Sequence, residues 1–336
     1  MKRNNFQKNY DKFLKSNKSN YISHSINKLQ KTYLHIDQKN EKILTKIKKF
    51  IYYLFDSFQL DKFIKKDNTD VLIISNFLDH KSLSNDVYFG KLNEILKSQN
   101  IKTKKIYRNF INVNHKILRN DIKIRNLILG KRLILIEELF HFILALREVF
   151  IFLFSIKYKD IKKKMNIFDF LSIINNLRHV EQLTKCIKKL NPKIIIFTFE
   201  GHAWERMLNF NIKQFDNKII TIGYQFSIIK RSQIGFFREL KKDFNPDYLA
   251  ASGEITFKYL KKKIKHSKIL KLGSNKWRPV CKSSQKFILI ALDDSQFLED
   301  KMLDLCIKIT EVKLIIRLHP LVKNDRERFN KINKKI

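Results

Sequence analysis

Glycine and proline are scarce in this chain, with seven and four residues among 336. That scarcity excludes collagen-like, linker-like and glycine-rich repeat classes. Cysteine is scarcer still, at positions 186, 281 and 306 with no paired spacing. Neither a disulfide scaffold nor a CxxC-type zinc site fits such a set, and a reduced, cytoplasmic compartment is the default expectation. Acidic charge is short as well: 32 Asp+Glu stand against 69 Lys+Arg, a net charge of +37. An uninterrupted apolar run is missing too. The best stretch, Leu133–Ile156, is broken by Glu137, Glu138, His141, Arg147 and Glu148. Each charge at bilayer depth costs about 3 kcal/mol, so the stretch reads as a buried or interfacial helix and not as a span. Its Phe-rich end, Val149–Phe154, is either core or membrane-surface material. The opening residues, MKRNNFQKNYDKF, lack the apolar core of a signal peptide.

What is present is enough for a core. Hydrophobic residues make up 44%, with 28 Phe and 11 Tyr, which excludes wholesale disorder. The length suits two domains of roughly 150 residues each, or two plus an appendage. The positive charge is 55 Lys and 14 Arg spread along the whole chain. Specific nucleic-acid readers cluster their charge and lean on Arg. The Lys-, Asn- and Ile-rich mixture looks instead like the codon bias of an AT-rich genome. The expected partners are therefore anionic in general, an anionic membrane surface among them, with no specific nucleic acid.

Residues 1–66 carry 16 basic and 5 acidic side chains and no Gly or Pro. Ile43, Ile47, Ile51 and Leu54 recur at helical spacing, so a helix is expected over about 40–58 and the segment reads as a basic helical arm. From residue 67 the pattern changes. Val71–Ser75 is a short apolar run after a polar turn, as in a strand buried on both faces of a parallel sheet. Further strands are expected at 104–108, 193–199, 218–224, 248–252 and 268–272. Helices are expected at 88–97, in a long region over about 131–190, and at 255–263. Strand alternating with helix predicts an α/β, doubly wound sheet over 67–279. After a polar linker (281–286), strands at 287–292 and 313–318 flank a helix at 294–310. This second unit, 280–336, has two of the roughly three strands of a Rossmann-like half. It is expected to be an incomplete domain.

Three segments at strand ends carry polar chemistry. In Phe199-Glu200-Gly201-His202-Ala203-Trp204-Glu205-Arg206, a glycine turn leads from a strand into a helix. That places Glu200 at the carboxyl edge of the sheet, where open α/β sheets bind ligands and where a carboxylate can serve as general base. A purely structural reading has Glu200 facing the helix dipole, Glu205 and Arg206 solvated, and Trp204 in the core. In Gly223-Tyr224-Gln225-Phe226-Ser227, Gly223 allows close backbone approach, and Tyr224, Gln225 and Ser227 can hydrogen-bond a hydroxyl-rich ligand; an ordinary strand-to-loop turn explains it equally well. In Ile315-Ile316-Arg317-Leu318-His319-Pro320, a strand delivers Arg317 and His319 to its end, as suits a phosphate. GxGxxG, GxxxxGK[ST], GxSxG and HExxH are all missing, and no His/Cys/Asp cluster has metal-ligand spacing.

Taken in order, these segments resemble bacterial glycosyltransferases of the GT-B fold. More narrowly, they resemble surface-carbohydrate (capsule and lipopolysaccharide) biosynthesis proteins with an "EGxxWE" segment followed by "GYQ". His319-Pro320 is similar to the phosphate-contacting motif of bacterial sialyl-, polysialyl- and Kdo-type transferases. The resemblance covers about residues 68–330 and is most specific over 193–277. It implies metal-independent transfer from a nucleotide sugar, as substrate and with no cofactor, to a glycan or lipid-linked acceptor. The expected localisation is cytoplasmic, or peripheral at the inner face of the cell membrane through the basic charge. Glu200 would be the base, and His319 with Arg317 would stabilise the departing phosphate. Glu205, Tyr224, Gln225 and Ser227 would bind the acceptor. Where such proteins often have His after "GYQ", this chain has Phe226. The competing reading is a non-catalytic protein that binds polyanions or membrane surfaces on a decayed transferase fold.

Overall fold

In the computed structural model of the chain, the described residues are 66–77, 86–109, 128–129, 135–154, 170–227, 229, 235–237, 240–274, 287–291, 304, 313–317 and 330. The chain divides into two compact units, residues 1–277 and 278–336. The expected arm helix over 40–58, the linker and almost all of the helix over 294–310 lie outside the described residues.

The first unit is built on seven strands: β1 (Val71–Phe77), β2 (Thr103–Asn109), β3 (Ile128–Leu129), β4 (Ile194–Thr198), β5 (Ile220–Gln225), β6 (Tyr248–Ala251) and β7 (Lys268–Lys271). Their order across the sheet is β3-β2-β1-β4-β5-β6-β7, and every neighbouring pair is parallel. The chain builds outward from β1 in one direction, then returns to β4 and builds in the other. The expected doubly wound α/β sheet is therefore present, and its strand order reverses between β1 and β4. At such a reversal the crossover connections diverge and leave a crevice at the strands' carboxyl ends.

The core follows from side-chain alternation. All seven residues of β1 are buried. Leu72 and Ile74 join the larger apolar cluster together with Ile195 and Phe197 of β4. Val71 and Ile73 face the opposite side, with Phe89, Tyr224 and Ala250. Each fully buried aliphatic or aromatic side chain contributes roughly 1.5–3 kcal/mol. The larger cluster is closed by α3 (Phe170–Leu190), α4 (Ala203–Phe215) and α5 (Glu254–Lys263). On the other face lies α1 (Leu92–Ser98).

The helix expected at 88–97 begins only at Leu92. Gly90 marks the break, its φ of 51° lying in the left-handed region that a helix does not contain. Before it, Asp86 Oδ1 accepts from the backbone N–H of Tyr88 (2.8 Å) and Phe89 (3.0 Å) and from Ser75 Oγ (3.1 Å), closing a separate aspartate turn. Tyr88 and Phe89 then pack edge-on and tilted against Phe226 and Tyr224.

The expected helical region over 131–190 contains two helices, α2 (Leu135–Phe154) and α3. They pack side by side. Arg178 of α3 grips Glu138 of α2 through Nη2–Oε2 at 2.7 Å and Nε–Oε1 at 2.6 Å. Lys185 reaches Glu137 at 2.9 Å. Glu138, Ala145, Glu148 and Val149 are buried, so two of the three acidic side chains of α2 turn inward. Val149 is core, whereas Phe150 and Phe154 are 43% and 73% exposed. Among the described residues no helix is long and apolar enough to cross a membrane.

In the second unit, β8 (Phe287–Ala291) and β9 (Lys313–Arg317) form a parallel pair, in register from Phe287↔Lys313 to Ala291↔Arg317.

Candidate functional site

The site grows from the end of β4. Phe199 is buried and its N–H donates to the Tyr224 carbonyl at 2.9 Å, extending the strand pairing by one residue. The chain then turns sharply through Gly201, whose φ of 80° lies in the left-handed region that costs other residues roughly 1 kcal/mol or more. Helix α4 starts two residues later.

Glu205, in the first turn of α4, holds that bend closed. Its Oε2 accepts from the Glu200 N–H (2.9 Å) and the His202 N–H (2.8 Å), satisfying amides at the helix start that have no partner within the helix. The side chain is 1% exposed. Burial pushes its pKa up to about 7, against the pull of His202 and the two amides. Arg206 is fully buried and donates to Asn245 Oδ1 at 2.7 Å. Asn209 donates to the Asp243 carbonyl at 2.8 Å. The solvated Glu205 and Arg206 of the purely structural reading are thus not what the fold contains. Both are internal braces: Glu205 closes the bend at 200–202, while Arg206, with Asn209, fixes α4 against the turn at 242–245. Trp204 is buried at 4%, as expected.

Glu200 itself is held by both oxygens. Ser227 Oγ donates to Oε1 at 2.8 Å, and His202 Nε2 lies 3.2 Å from Oε2. The Glu200 side chain is 13% exposed and the His202 side chain 39%, so the imidazole is the more accessible half of the pair. Burial alone would lower the His202 pKa, but the Glu205 and Glu200 carboxylates outweigh it and raise the value above the usual range.

This pair sits at the reversal of strand order. Asn76 of β1 donates to Thr198 Oγ1 of β4 at 3.3 Å, bridging the two diverging strands. One strand further out, Arg108 stands beside Asn76 in register, with its guanidinium 4.4 Å from the Trp204 ring centre. Burial lowers the Arg108 pKa to about 10, opposed by Glu205 and Tyr88. Burial also raises the Tyr88 hydroxyl, despite a hydrogen bond with Asn76. His202, Asn76, Tyr88 and Arg108 were not singled out from sequence. Asn76 and Arg108 carry one signal, a polar side chain at the carboxyl end of a strand that flanks the reversal.

The other expected acceptor residues divide. Ser227 faces Glu200. Tyr224 is 4% exposed, its hydroxyl donating to the Gly273 carbonyl at 3.1 Å. Gln225 is fully buried, donating to the Ser227 carbonyl and accepting from Ser252 Oγ at 3.3 Å. Tyr224, Gln225 and Glu205 thus have their polar atoms engaged with protein and shape the site from behind. The close approach at Gly223 is also internal: a Cβ there would lie 2.8 Å from Phe199 Cβ and 3.0 Å from Pro246 Cγ. Arg317 ends β9 in the second unit, and His319 lies outside the described residues. Among the described residues no group of three His, Cys, Asp or Glu side chains is placed to hold a metal ion.

Chemically, the arrangement offers a carboxylate and an imidazole in hydrogen-bond contact at the carboxyl edge of the sheet, the carboxylate oriented by a serine hydroxyl. It suits removal of a proton from a substrate hydroxyl. The chain matches no protein-family model, and none of the curated proteins matches it.

Proposed function

We propose that this chain is a glycosyltransferase-like protein that moves a sugar from a nucleotide-sugar donor to a hydroxyl of a surface polysaccharide or lipid-linked acceptor. One observation carries the reading: the Glu200 carboxylate, held by Ser227 and His202, stands at the carboxyl edge of β4 where the strand order reverses. In this reading the first unit binds the acceptor and the second binds the donor, in the manner of a GT-B enzyme.

The reaction needs one proton acceptor and one stabilised leaving group. The acceptor oxygen bonds to the anomeric carbon as that carbon's bond to the donor phosphate oxygen breaks. The electron pair leaves with the nucleotide, and the hydroxyl proton passes to Glu200. His202 and Ser227 hold the carboxylate in place and spread the charge it gains or loses. Arg317 and His319 neutralise the departing phosphate, as charge-assisted contacts do best.

The test is a thermal-shift and titration panel of nucleoside mono- and diphosphates and their sugar conjugates, followed by product assay with the responsive donor. A stabilising shift with one nucleotide class supports the reading. No shift with any of them would overturn it and leave the non-catalytic alternative, the binding of an anionic surface, in place.

A further inference from the structure

Helix α2 is amphipathic in reverse: it buries Glu138 and Glu148 and exposes much of its hydrocarbon. Ile136, Leu139, Phe140, Ile143, Phe150, Ile151 and Phe154 are between 43% and 78% exposed. At about 100° per residue they fall on one stripe. The opposite stripe holds Glu138, Ala145, Glu148 and Val149, all buried, with Glu138 clasped by Arg178. Phe150 and Phe154 stack at the end of the outward face, ring centres 5.7 Å apart. A continuous apolar face of this kind marks an interaction surface.

We propose that this face of α2 lies in the interfacial layer of an anionic bilayer, with the helix axis parallel to the membrane. Three features choose this occupant. Arg147 is the one charged residue among the described positions of the stripe, at its middle, and it is exposed; its guanidinium can reach lipid phosphates while its stem stays in hydrocarbon. The acidic residues of the helix, which lipid phosphates would repel, point inward or pair with Lys185. The chain as a whole carries +37, complementary to an anionic leaflet. A second copy fits less well. Two-fold pairing along the stripe would bring one Arg147 close to the other inside an apolar contact, where like charges are costly. A helix held on the protein by its polar side and on lipid by its apolar side is an interfacial anchor. The proposal goes beyond the transfer reading and does not depend on it.

Charge alone will carry a +37 protein to anionic vesicles, so the test must separate insertion from attraction. The full chain is co-sedimented with phosphatidylglycerol–phosphatidylcholine vesicles at low salt and at about 0.5 M salt, where the Debye length falls to roughly 4 Å. The wild type is expected to stay bound at high salt. The Ile143→Glu/Phe150→Glu variant should lose about tenfold or more of that salt-resistant binding, as when one large apolar side chain no longer leaves water. A milder Ile136→Ser/Phe154→Ser variant should lose a smaller part. Both should melt at the wild-type temperature, since the substituted side chains are exposed. Release of the wild type by salt, or equal salt-resistant binding by the variants, would overturn the proposal. So would a drop in melting temperature, which would mean the face is covered by the chain itself. Conversion of an oligomer to a monomer by the variants would assign the face to a second copy instead.

Discussion

Ser227 Oγ donates to Glu200 Oε1 at 2.8 Å, joining the loops that follow two adjacent strands, β5 and β4. With His202 on the other oxygen, the carboxylate is fixed at both ends. Side chains held in this way have little rotamer freedom left to lose when a substrate arrives, and such pre-orientation is where much catalytic power originates.

In the proposed reaction Ser227 is a positioning residue. Ser227→Ala is expected to lower the turnover rate of transfer by roughly tenfold, the value of one hydrogen bond to a charged group. KM for the acceptor should change little, and Ser227→Thr should restore part of the rate. Steady-state kinetics on the three proteins check this; an unchanged turnover rate in Ser227→Ala would remove the residue from the mechanism.

Glu205 makes stability depend on pH. Its folded pKa of about 7 lies above the ordinary 4.5, so the folded state holds the proton longer than the unfolded chain. The associated stability is fully present below about pH 4.5 and is lost as pH rises through about 7, on the order of 3 kcal/mol. His202, also raised, contributes with the same sign, its share fading as pH rises through its folded value. Urea unfolding from pH 5 to 8 should show stability falling for the wild type and a flatter profile for Glu205→Gln. Parallel profiles would contradict the assignment.

Gly201 and Gly223 are required for different reasons. Gly201→Ala forces a Cβ into a φ of 80° and should cost about 1 kcal/mol, while moving Glu200. Gly223→Ala drives a Cβ against Phe199 and Pro246 and should cost about 1–3 kcal/mol, the usual range for overpacking. Denaturant midpoints for both variants, together with transfer rates, test the pair; full stability in Gly223→Ala would contradict the packing at β5.

Much of this fold can be read from residue order. Short apolar runs bounded by polar turns mark β1, β4, β5 and β6, because strands buried on both faces need no alternation. Glu200 and Gly201 were legible for the same reason, a carboxylate and a glycine directly after the strongest strand. Glu205 was not, since its partners are backbone amides, which leave no mark on sequence. Asn76 and Arg108 meet the site only through the order of strands in the sheet. The reversed face of α2 was hidden as well. A helix rich in Phe and Leu on every side does not say which side points inward; Arg178, 40 positions from Glu138, decides it.

That pair gives its own prediction. Arg178 and Glu138 are each 8% exposed, so Arg178→Ala strands a buried carboxylate and should destabilise the first unit by about 3–5 kcal/mol. Arg178→Met combined with Glu138→Leu should recover most of the loss. Calorimetry on the single and double variants checks it, and equal stabilities for the wild type and Arg178→Ala would place the helix pair's cohesion elsewhere.

The most direct trial is sugar transfer by wild-type protein and Glu200→Gln with the nucleotide sugar that stabilises the chain. Gln can still hydrogen-bond Ser227 and His202, so the fold should survive with an unchanged melting temperature. The turnover rate should fall about 10²–10⁴-fold, the usual contribution of a positioned base. A Glu200→Gln protein that transfers sugar at the wild-type rate would contradict the account at its centre.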